Sequence, residues 1–284
     1  MTNLDHEHID YYKNYRNLEN SFIEFIEKTP PTGKTIICTS NRNIKKILKR
    51  IKNKNLLTYG DEKGVDYRIS NLRFKVDYSI FDLNYRDNNN KKKIIKNICV
   101  KLLGKHNIFN ATAAVIVCIN LGVPHNVIKK SLKRFTGVQR RMTKLFSRNS
   151  NDFYDDYAHH PTEIKSILSS VKNVYSKRKI IAVFEPHRYS RITSLKREFA
   201  KSFSKADLVI LCPLYAAGEK KNSNFNLTNF GKLISNRSKI QVIMVKNRSE
   251  LSNYLKKNLI KDELIIGMGA GLISKWMAEL KLIL

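Results

Sequence analysis

The stretch KIIAVFEPHRYSR, residues 179–191, starts with six residues typical of a buried β-strand and continues into a cationic segment. Similar apolar runs occur at Leu208–Cys212, Gln241–Val245 and Leu264–Ile266, and amphipathic helical patterns separate them. This alternation of strand and helix is typical of a doubly wound parallel sheet. It begins after Gly137, so the sequence predicts an α/β domain over residues 138–284.

The first part of the chain, residues 1–137, has a different order of predicted helices and strands. One helical face contains Leu18, Phe22, Phe25 and Ile26, and the Thr29-Pro30-Pro31 sequence ends that helix. Further along, the patterns predict a strand at Lys34–Thr39, a helix at Asn43–Lys52, strands within Tyr67–Leu83, and helices at His106–Leu121 and Pro124–Phe135. The His106–Leu121 segment is apolar on nearly all sides, which predicts a buried helix.

The bulk composition limits the class of protein. A chain of 284 residues with 42% hydrophobic residues can form two domains with sizeable cores. No apolar run reaches the length of a membrane span, and the first residues do not resemble a secretory signal, so a cytoplasmic protein is expected. The four cysteines are far apart in sequence, which argues against a paired metal site and favours a role as small apolar residues.

The formal charge of +29 predicts attraction to polyanions such as nucleotides, phosphorylated sugars or nucleic acid. The lysines are spread through every segment, and no recognised nucleic-acid-binding module is present. A polyanion-binding protein therefore stays an alternative. Salt-sensitive binding to nucleic acid without any response to nucleotide or alanine would favour it.

Two glycine-containing stretches resemble nucleotide-binding loops without matching them. Gly33-Lys34-Thr35 resembles the end of a phosphate-binding loop, but the earlier glycine of that motif is replaced by Lys28. The segment 267–271 (GMGAG) follows a strand and starts a helix, yet its glycine spacing differs from that of a dinucleotide-binding turn. Both are interpreted as ordinary turns.

Two polar segments follow predicted strands. Residues 155–163 (DDYAHHPTE) place carboxylates and imidazoles at the carboxyl end of a strand, where open α/β sheets bind their ligands. The adjacent His159 and His160 are suited to binding a metal, binding a substrate or capping the next helix. Arg188 and Arg191, three residues apart, are suited to holding one carboxylate or phosphate, although a solvated basic loop is the alternative.

Six motifs in one order resemble the Mur ligase family over almost the whole chain. They are TNLDHEHIDYY (2–12), GKHNIFNA (104–111), FTGVQRR (135–141), DDYAHHPTE (155–163), PHRYSR (186–191) and PLYAAGE (213–219). The family members that attach a preformed tripeptide share a motif like DDYAHHPTE. The PHRYSR motif instead resembles the members that attach L-alanine to UDP-N-acetylmuramate in peptidoglycan synthesis.

The resemblance implies an α/β fold in which part of a P-loop-type central ATPase domain (1–137) precedes a Rossmann-like C-terminal domain (138–284). It implies ATP and Mg²⁺ as cofactors, and UDP-N-acetylmuramate and L-alanine as substrates. In this family ATP phosphorylates the muramyl carboxylate, and the amine of the amino acid then attacks the acyl phosphate.

The resemblance also implies residues for the nucleotide and the metal. His8 resembles a histidine that binds a second Mg²⁺. Asn107 and Asn110 resemble the pair that meets adenine, whose N6/N7 edge an amide group can match. Arg141 resembles an arginine that reaches the ATP phosphates, with a catalytic role. Asp156 resembles an aspartate on the nucleotide side of the cleft.

Four further residues resemble the amino-acid pocket of the family. They are Tyr157, His159, Arg188 and Arg191, of which the two arginines are implied to hold the L-alanine carboxylate. His159 is a candidate for removing the proton from the attacking amine, which is a catalytic role.

The sequence departs from the family in one respect. Family members carry a UDP-sugar-binding domain, a P-loop and a Mg²⁺-binding glutamate before the part resembled here. We therefore expect an exposed sheet edge, an exposed apolar surface and little or no activity from the chain alone. The alternatives are a non-catalytic remnant and one half of a split ligase that needs a separate N-terminal half.

Overall fold

The computed structural model describes residues 1–53, 55–222 and 224–284, which form two compact units, Met1–Thr136 and Gly137–Leu284. The elements of the first unit are α1 (Ile9–Tyr12), α2 (Tyr15–Glu27), β1 (Thr35–Cys38), α3 (Arg42–Leu48), β2 (Leu56–Gly60), β3 (Tyr67–Phe74), β4 (Ser79–Arg86), β5 (Lys92–Val100), α4 (Lys105–Asn120) and α5 (His125–Arg134). Its sheet has the order β1-β2-β3-β4-β5, in which β1, β2 and β3 are parallel and the β3–β4–β5 pairs are antiparallel.

The second unit contains β6 (Thr143–Arg148), β7 (Asn151–Asp156), α6 (Pro161–Val174), β8 (Lys179–Phe184), α7 (Tyr189–Ser194), α8 (Lys196–Ser202), β9 (Leu208–Leu211), α9 (Leu227–Ser238), β10 (Gln241–Met244), α10 (Arg248–Asn258), β11 (Glu263–Met268) and α11 (Ile273–Ile283). The sheet order is β10-β9-β8-β11-β7-β6, and only the β6 pairing is antiparallel. The predicted α/β fold with a Rossmann-like parallel sheet is confirmed.

Apolar clusters cover both faces of the second sheet. One includes Leu168 of α6 and Phe199 of α8, and the other includes Leu251 of α10 and Met277 of α11. Because strands between two helical layers are buried on both faces, they are continuously apolar rather than alternating. This explains why runs such as KIIAVF identified them in the sequence.

The α4 helix differs from the prediction of a fully buried helix. One face packs on β1 and β2, with Ile108, Val115 and Ile116 buried. The other face is open, and Val117 and Leu121 are 44% and 76% exposed. The prediction was wrong because a helix that is apolar on all sides can bury only the side that has a packing partner.

None of the helices in the described ranges is long and apolar enough to cross a membrane. The four cysteines are free thiols, of which Cys38 and Cys212 are buried. Burial raises the pKa of both buried thiols, which keeps them in the neutral, unreactive form.

Candidate active site

The candidate site of the second unit lies at the carboxyl ends of three neighbouring strands. The last residue of β11, Met268, is paired with Asp156 of β7 on one side and with Phe184 of β8 on the other. Backbone hydrogen bonds continue beyond the strand ends, from the Gly269 N–H to the Asp156 carbonyl at 3.2 Å and from the Glu185 N–H to the Met268 carbonyl at 2.9 Å. The DDYAHHPTE and PHRYSR segments therefore leave the sheet at the same level, as predicted.

His159 is held in a defined tautomer beside Tyr157. Its Nδ1 lies 2.8 Å from the Tyr157 carbonyl oxygen, and because a carbonyl only accepts, Nδ1 carries the proton. In the neutral ring Nε2 is then the basic nitrogen. The two rings also meet edge to face, with centroids 5.0 Å apart. This geometry suits His159 to accepting a proton through Nε2.

His160 has a structural role, in contrast to its neighbour. It is the N-cap of α6, and its Nδ1 accepts from the Thr162 N–H at 3.4 Å. Glu163 completes a capping box by accepting from the His160 N–H at 3.2 Å, and Pro161 occupies the first helical position. Of the three roles that the sequence left open for the pair, helix capping belongs to His160.

The loop after β8 is fixed to the loop after β9 by backbone hydrogen bonds. The Arg188 N–H donates to the Tyr215 carbonyl at 2.9 Å, and the Tyr215 N–H donates to the Pro186 carbonyl at 2.8 Å. Arg188 has a φ of 67° and is the N-cap of α7. Arg188 therefore precedes this short helix and Arg191 lies within it, and PLYAAGE is brought against PHRYSR.

His187, which the sequence analysis did not single out, lies between the two loops. Its ring is 5.7 Å from the His159 ring and stacks on the Tyr215 ring at 5.6 Å. The Arg191 Nη1 lies 3.3 Å from its Nδ1. Burial, then the charge of Arg191, lowers the pKa of His187 to about 4. The neutral ring can thus accept a hydrogen bond from the Arg191 guanidinium.

The consecutive arginines of FTGVQRR lie against Tyr157. The Arg140 and Arg141 guanidinium carbons are 4.6 and 5.6 Å from the centre of the Tyr157 ring, within the range of cation–π contacts. Arg140 also donates to the Gly269 carbonyl at 2.7 Å, while Arg141 forms an ion pair with Glu163 at 3.6 Å. Arg140 therefore ties Tyr157 to the turn after β11, a role that the sequence analysis missed.

Asp156 is buried, with 1% of its surface exposed. Its two carboxylate oxygens accept from the Met142 N–H and the Ala158 N–H, each at 2.8 Å. Burial raises its pKa to about 6, because these hydrogen bonds offset only part of the cost of burying the charge. The carboxylate therefore anchors two loops, and its contact with a nucleotide stays a prediction.

A second buried carboxylate, Glu185, explains the glycine-rich turn after β11. It accepts from the Leu272 N–H at 3.1 Å and the Ile273 N–H at 3.4 Å, at the start of α11. A Cβ on Gly271 would lie 2.4 Å from its Oε2 atom. The Glu185 carboxylate therefore occupies the N-terminus of α11 and holds the turn in place. This is consistent with the interpretation as an ordinary turn. In the sequence, Glu185 could have been recognised as an acidic residue directly after a buried strand.

The adenine-binding candidates lie in the first unit, at the start of α4. Gly104 precedes the helix with a φ of 98°, a conformation that L-residues rarely adopt. The Asn107 side chain donates to the Leu103 carbonyl at 2.7 Å, and Asn110 is exposed one turn later. The two amides share one helix face, so both can meet the edge of a base.

His8, also in the first unit, is exposed and has a φ of 56°. Its carbonyl accepts from the Tyr11 and Tyr12 N–H groups, each at 3.0 Å. Across the described residues, no three His, Cys, Asp or Glu side chains form a group that could hold a metal ion. The assignment of His8 as a Mg²⁺ ligand therefore stays a prediction.

The comparisons with known proteins agree with the motifs. Residues 1–118 match the Mur ligase middle domain, and residues 140–271 match the domain described as Mur ligase, glutamate ligase domain. The chain is 44% identical over 280 residues to the UDP-N-acetylmuramate–L-alanine ligase of Pelagibacter ubique, covering 99% of this chain and 60% of that protein. For the same ligase of Agrobacterium fabrum, identity is 35%, covering 99% and 59%.

Solved structures show the same fold. UDP-N-acetylmuramate-alanine ligase MurC from Thermotoga maritima superposes with a TM-score of 0.74 at 22% identity, covering 99% of this chain and 57% of that one. MurF ligase from Thermotoga maritima in complex with ADP gives 0.70 at 13% identity, covering 97% and 60%. The chain thus spans about 60% of the length of the relatives that it matches. It belongs to the Mur ligase family and carries the middle and C-terminal domains of such a ligase.

Proposed function

We propose that this chain supplies the amino-acid-binding part and part of the nucleotide-binding domain of a cytoplasmic ligase that joins L-alanine to UDP-N-acetylmuramate at the expense of ATP. The observation that carries the proposal is the 44% identity with the Pelagibacter ubique ligase of that name over 99% of this chain. The motif PHRYSR, which resembles the alanine-adding members, supports the same substrate.

In the proposed reaction the second unit binds the amino acid. Arg188 and Arg191 hold the L-alanine carboxylate, since guanidinium groups match carboxylates bidentately. The His187 Nδ1, 3.3 Å from Arg191, orients the guanidinium without competing for the anion, because the low pKa of His187 keeps its ring neutral.

The attacking group must be an uncharged amine. His159 is proposed to take the proton from the alanine ammonium at Nε2, and the hydrogen bond from its Nδ1 to the Tyr157 carbonyl supports this role. The amine then forms the amide bond with the muramyl carbonyl carbon, and phosphate leaves. Tyr157, held by Arg140 and Arg141, forms the adjacent wall of the pocket.

In the first unit, Asn107 and Asn110 are proposed to contact the adenine of ATP, while the catalytic role of Arg141 stays a prediction from the family resemblance. Mg²⁺, when bound with the nucleotide, would neutralise charge on the transferred phosphoryl group. Because the chain spans about 60% of its relatives' length, we propose that turnover requires the remaining part of a ligase, supplied as the rest of the polypeptide or as a separate half.

The test is phosphate release with ATP, Mg²⁺, UDP-N-acetylmuramate and L-alanine. The chain is assayed alone and then with the part of the Pelagibacter ubique ligase that lies outside the matched stretch. Turnover that needs both polypeptides and all three substrates supports the proposal. The Arg191→Lys variant, which keeps the charge but loses the planar fork, should raise the KM for L-alanine at least tenfold. Absence of turnover in the complemented assay would instead favour the alternative that the chain is a non-catalytic remnant.

A further inference from the structure

A carboxylate from another loop holds the first turn of α7. The Ser190 N–H donates to the Glu219 Oε2 atom at 3.1 Å, and the Ser190 Oγ donates to Oε1 at 2.5 Å. Glu219 lies 29 residues further along the chain, in the PLYAAGE segment between β9 and α9. Both of its carboxylate oxygens therefore contact one residue of the short helix that carries Arg191.

The start of α7 needs an acceptor from outside the helix. The N–H groups of a first helical turn have no partner within the helix, and a capping side chain must accept from them. The N-cap residue is Arg188, whose guanidinium group only donates. A carboxylate suits this position, because its charge is stabilised by the partial positive charge of the helix start. Glu219 thus supplies from a different loop the acceptor that the N-cap residue does not.

The turn that presents Glu219 has an uncommon backbone conformation. The Glu219 N–H donates to the Ala216 carbonyl at 3.0 Å, which closes a four-residue turn. Its two central residues, Ala217 and Gly218, have φ angles of 51° and 85°. An alanine rarely adopts a left-handed φ, and such a conformation persists where the surrounding structure requires it. The contact of Glu219 with Ser190 is a structural reason for this conformation.

The Glu219 carboxylate also acts on the charge of His187. Burial and the charge of Arg191 lower the pKa of His187, and the Glu219 carboxylate raises it by a smaller amount. The ring of His187 stacks on that of Tyr215, which belongs to the same loop as Glu219, at 5.6 Å. Glu219 therefore lies beside the side chains that surround the Arg191 guanidinium.

We propose that Glu219 is a positioning residue of the amino-acid site. By holding Ser190, it fixes the first turn of α7 and the direction in which Arg191 reaches the L-alanine carboxylate. Arg191 directly follows Ser190, so a backbone shift at Ser190 is passed on to the guanidinium. A guanidinium binds a carboxylate bidentately only in a defined orientation, and loss of that orientation weakens binding. This role rests on the proposed function, in which Arg188 and Arg191 bind L-alanine.

The test measures kcat and the KM for L-alanine when the full chain is complemented with the part of the Pelagibacter ubique ligase outside the matched stretch. We expect Glu219→Ala to raise this KM about tenfold and to leave kcat within about twofold, because the arginine contact is made equally in the ground state and the transition state. Glu219→Gln keeps one side-chain oxygen that can accept from the Ser190 N–H. Its KM should therefore lie between those of the wild type and of Glu219→Ala.

Glu250→Ala is the matched control. Glu250 is also half-buried at the start of a helix, α10, and it accepts from the Lys246 N–H at 2.8 Å. None of the residues that we propose to bind substrate lies in α10. Both variants lose a backbone hydrogen bond at a helix start, so a general loss of stability affects both. Only Glu219→Ala should raise the KM for L-alanine.

The proposed role of Glu219 is overturned by an unchanged KM in Glu219→Ala, by an equal rise in Glu250→Ala, or by equal KM values for Glu219→Gln and Glu219→Ala. If Glu219→Ala does not fold, the KM of Glu219→Gln decides: a value above that of the wild type supports the role, and an unchanged value overturns it. Wild-type turnover with an unchanged KM in the variants would refute the positioning role alone. No turnover by the complemented wild type would refute the proposed function as well.

Discussion

Replacing Gly271 with alanine tests whether the buried carboxylate of Glu185 organises the candidate site. A Cβ at this position would lie 2.4 Å from the Glu185 Oε2 atom and 2.6 Å from the Tyr215 ring. The φ of Gly271 lies outside the left-handed region, so the cost of the substitution is steric. The methyl group would displace Glu185 from the amides of Leu272 and Ile273, and Tyr215 from the ring of His187.

The magnitude follows from the two displaced groups. A buried carboxylate that loses its hydrogen-bond donors costs about 1–3 kcal/mol. Overpacking of a buried position costs a further 1–3 kcal/mol, of which relaxation of the Tyr215 ring recovers a part. We therefore expect the free energy of unfolding of the second unit to fall by about 2–4 kcal/mol.

The assay is urea unfolding followed by the fluorescence of Trp276, the single tryptophan of the chain, which lies in α11. Gly218→Ala is the control, because Gly218 has a φ of 85° and open space around its Cα; it should cost only the ~1–2 kcal/mol of a left-handed residue. A smaller loss of stability in Gly271→Ala than in this control would contradict the expected clash. An equal loss in a Glu185→Ala background, where the carboxylate is already removed, would contradict the role of Glu185.

Three further predictions concern single groups. Burial raises the pKa of Asp156 from 3.8 to about 6, so the native state retains its proton longer than the unfolded state and loses stability as the pH rises from about 4 to 6. The unfolding free energy of the wild type minus that of Asp156→Asn should fall by up to about 3 kcal/mol over this interval in urea titrations. The pKa of His187 is lowered to about 4, so the native state loses its proton before the unfolded state does as the pH rises. The wild type should therefore gain stability relative to His187→Asn between pH 4 and 6.5. A difference in unfolding free energy that does not change with pH in the same assay would contradict this. Gly104→Ala should destabilise the start of α4 by about 1–3 kcal/mol because of its φ of 98°, measured as faster amide exchange of Asn107 and Ile108.

The sequence predicted the second sheet well because burial on both faces makes its strands continuously apolar. Runs such as KIIAVF then stand out between amphipathic helices. The same reasoning placed the DDYAHHPTE and PHRYSR segments at one edge, since parallel strands have their carboxyl ends together. These are consequences of strand direction alone and need no knowledge of side-chain packing.

The sequence did not predict which side chains contact each other. His159 and His160 are adjacent and identical in type, and only the capping geometry shows that His160 is the one that caps α6. Glu185 meets α11 across 87 residues of sequence, a distance that no local pattern reveals. The exposure of one face of α4 was not predicted either, because it depends on which neighbouring elements cover the helix. The sequence of the helix does not specify these neighbours.

Transfer of radiolabelled L-alanine to UDP-N-acetylmuramate tests the proposal that this chain carries the amino-acid-binding part of an alanine-adding ligase. The chain is mixed with the complementary part of the Pelagibacter ubique ligase, ATP and Mg²⁺, and labelled UDP-sugar product is counted. We expect label in the product with the wild-type chain and a loss of at least tenfold with Arg191→Ala. Labelled product formed equally well by Arg191→Ala, or no labelled product from the complemented wild type, would contradict it.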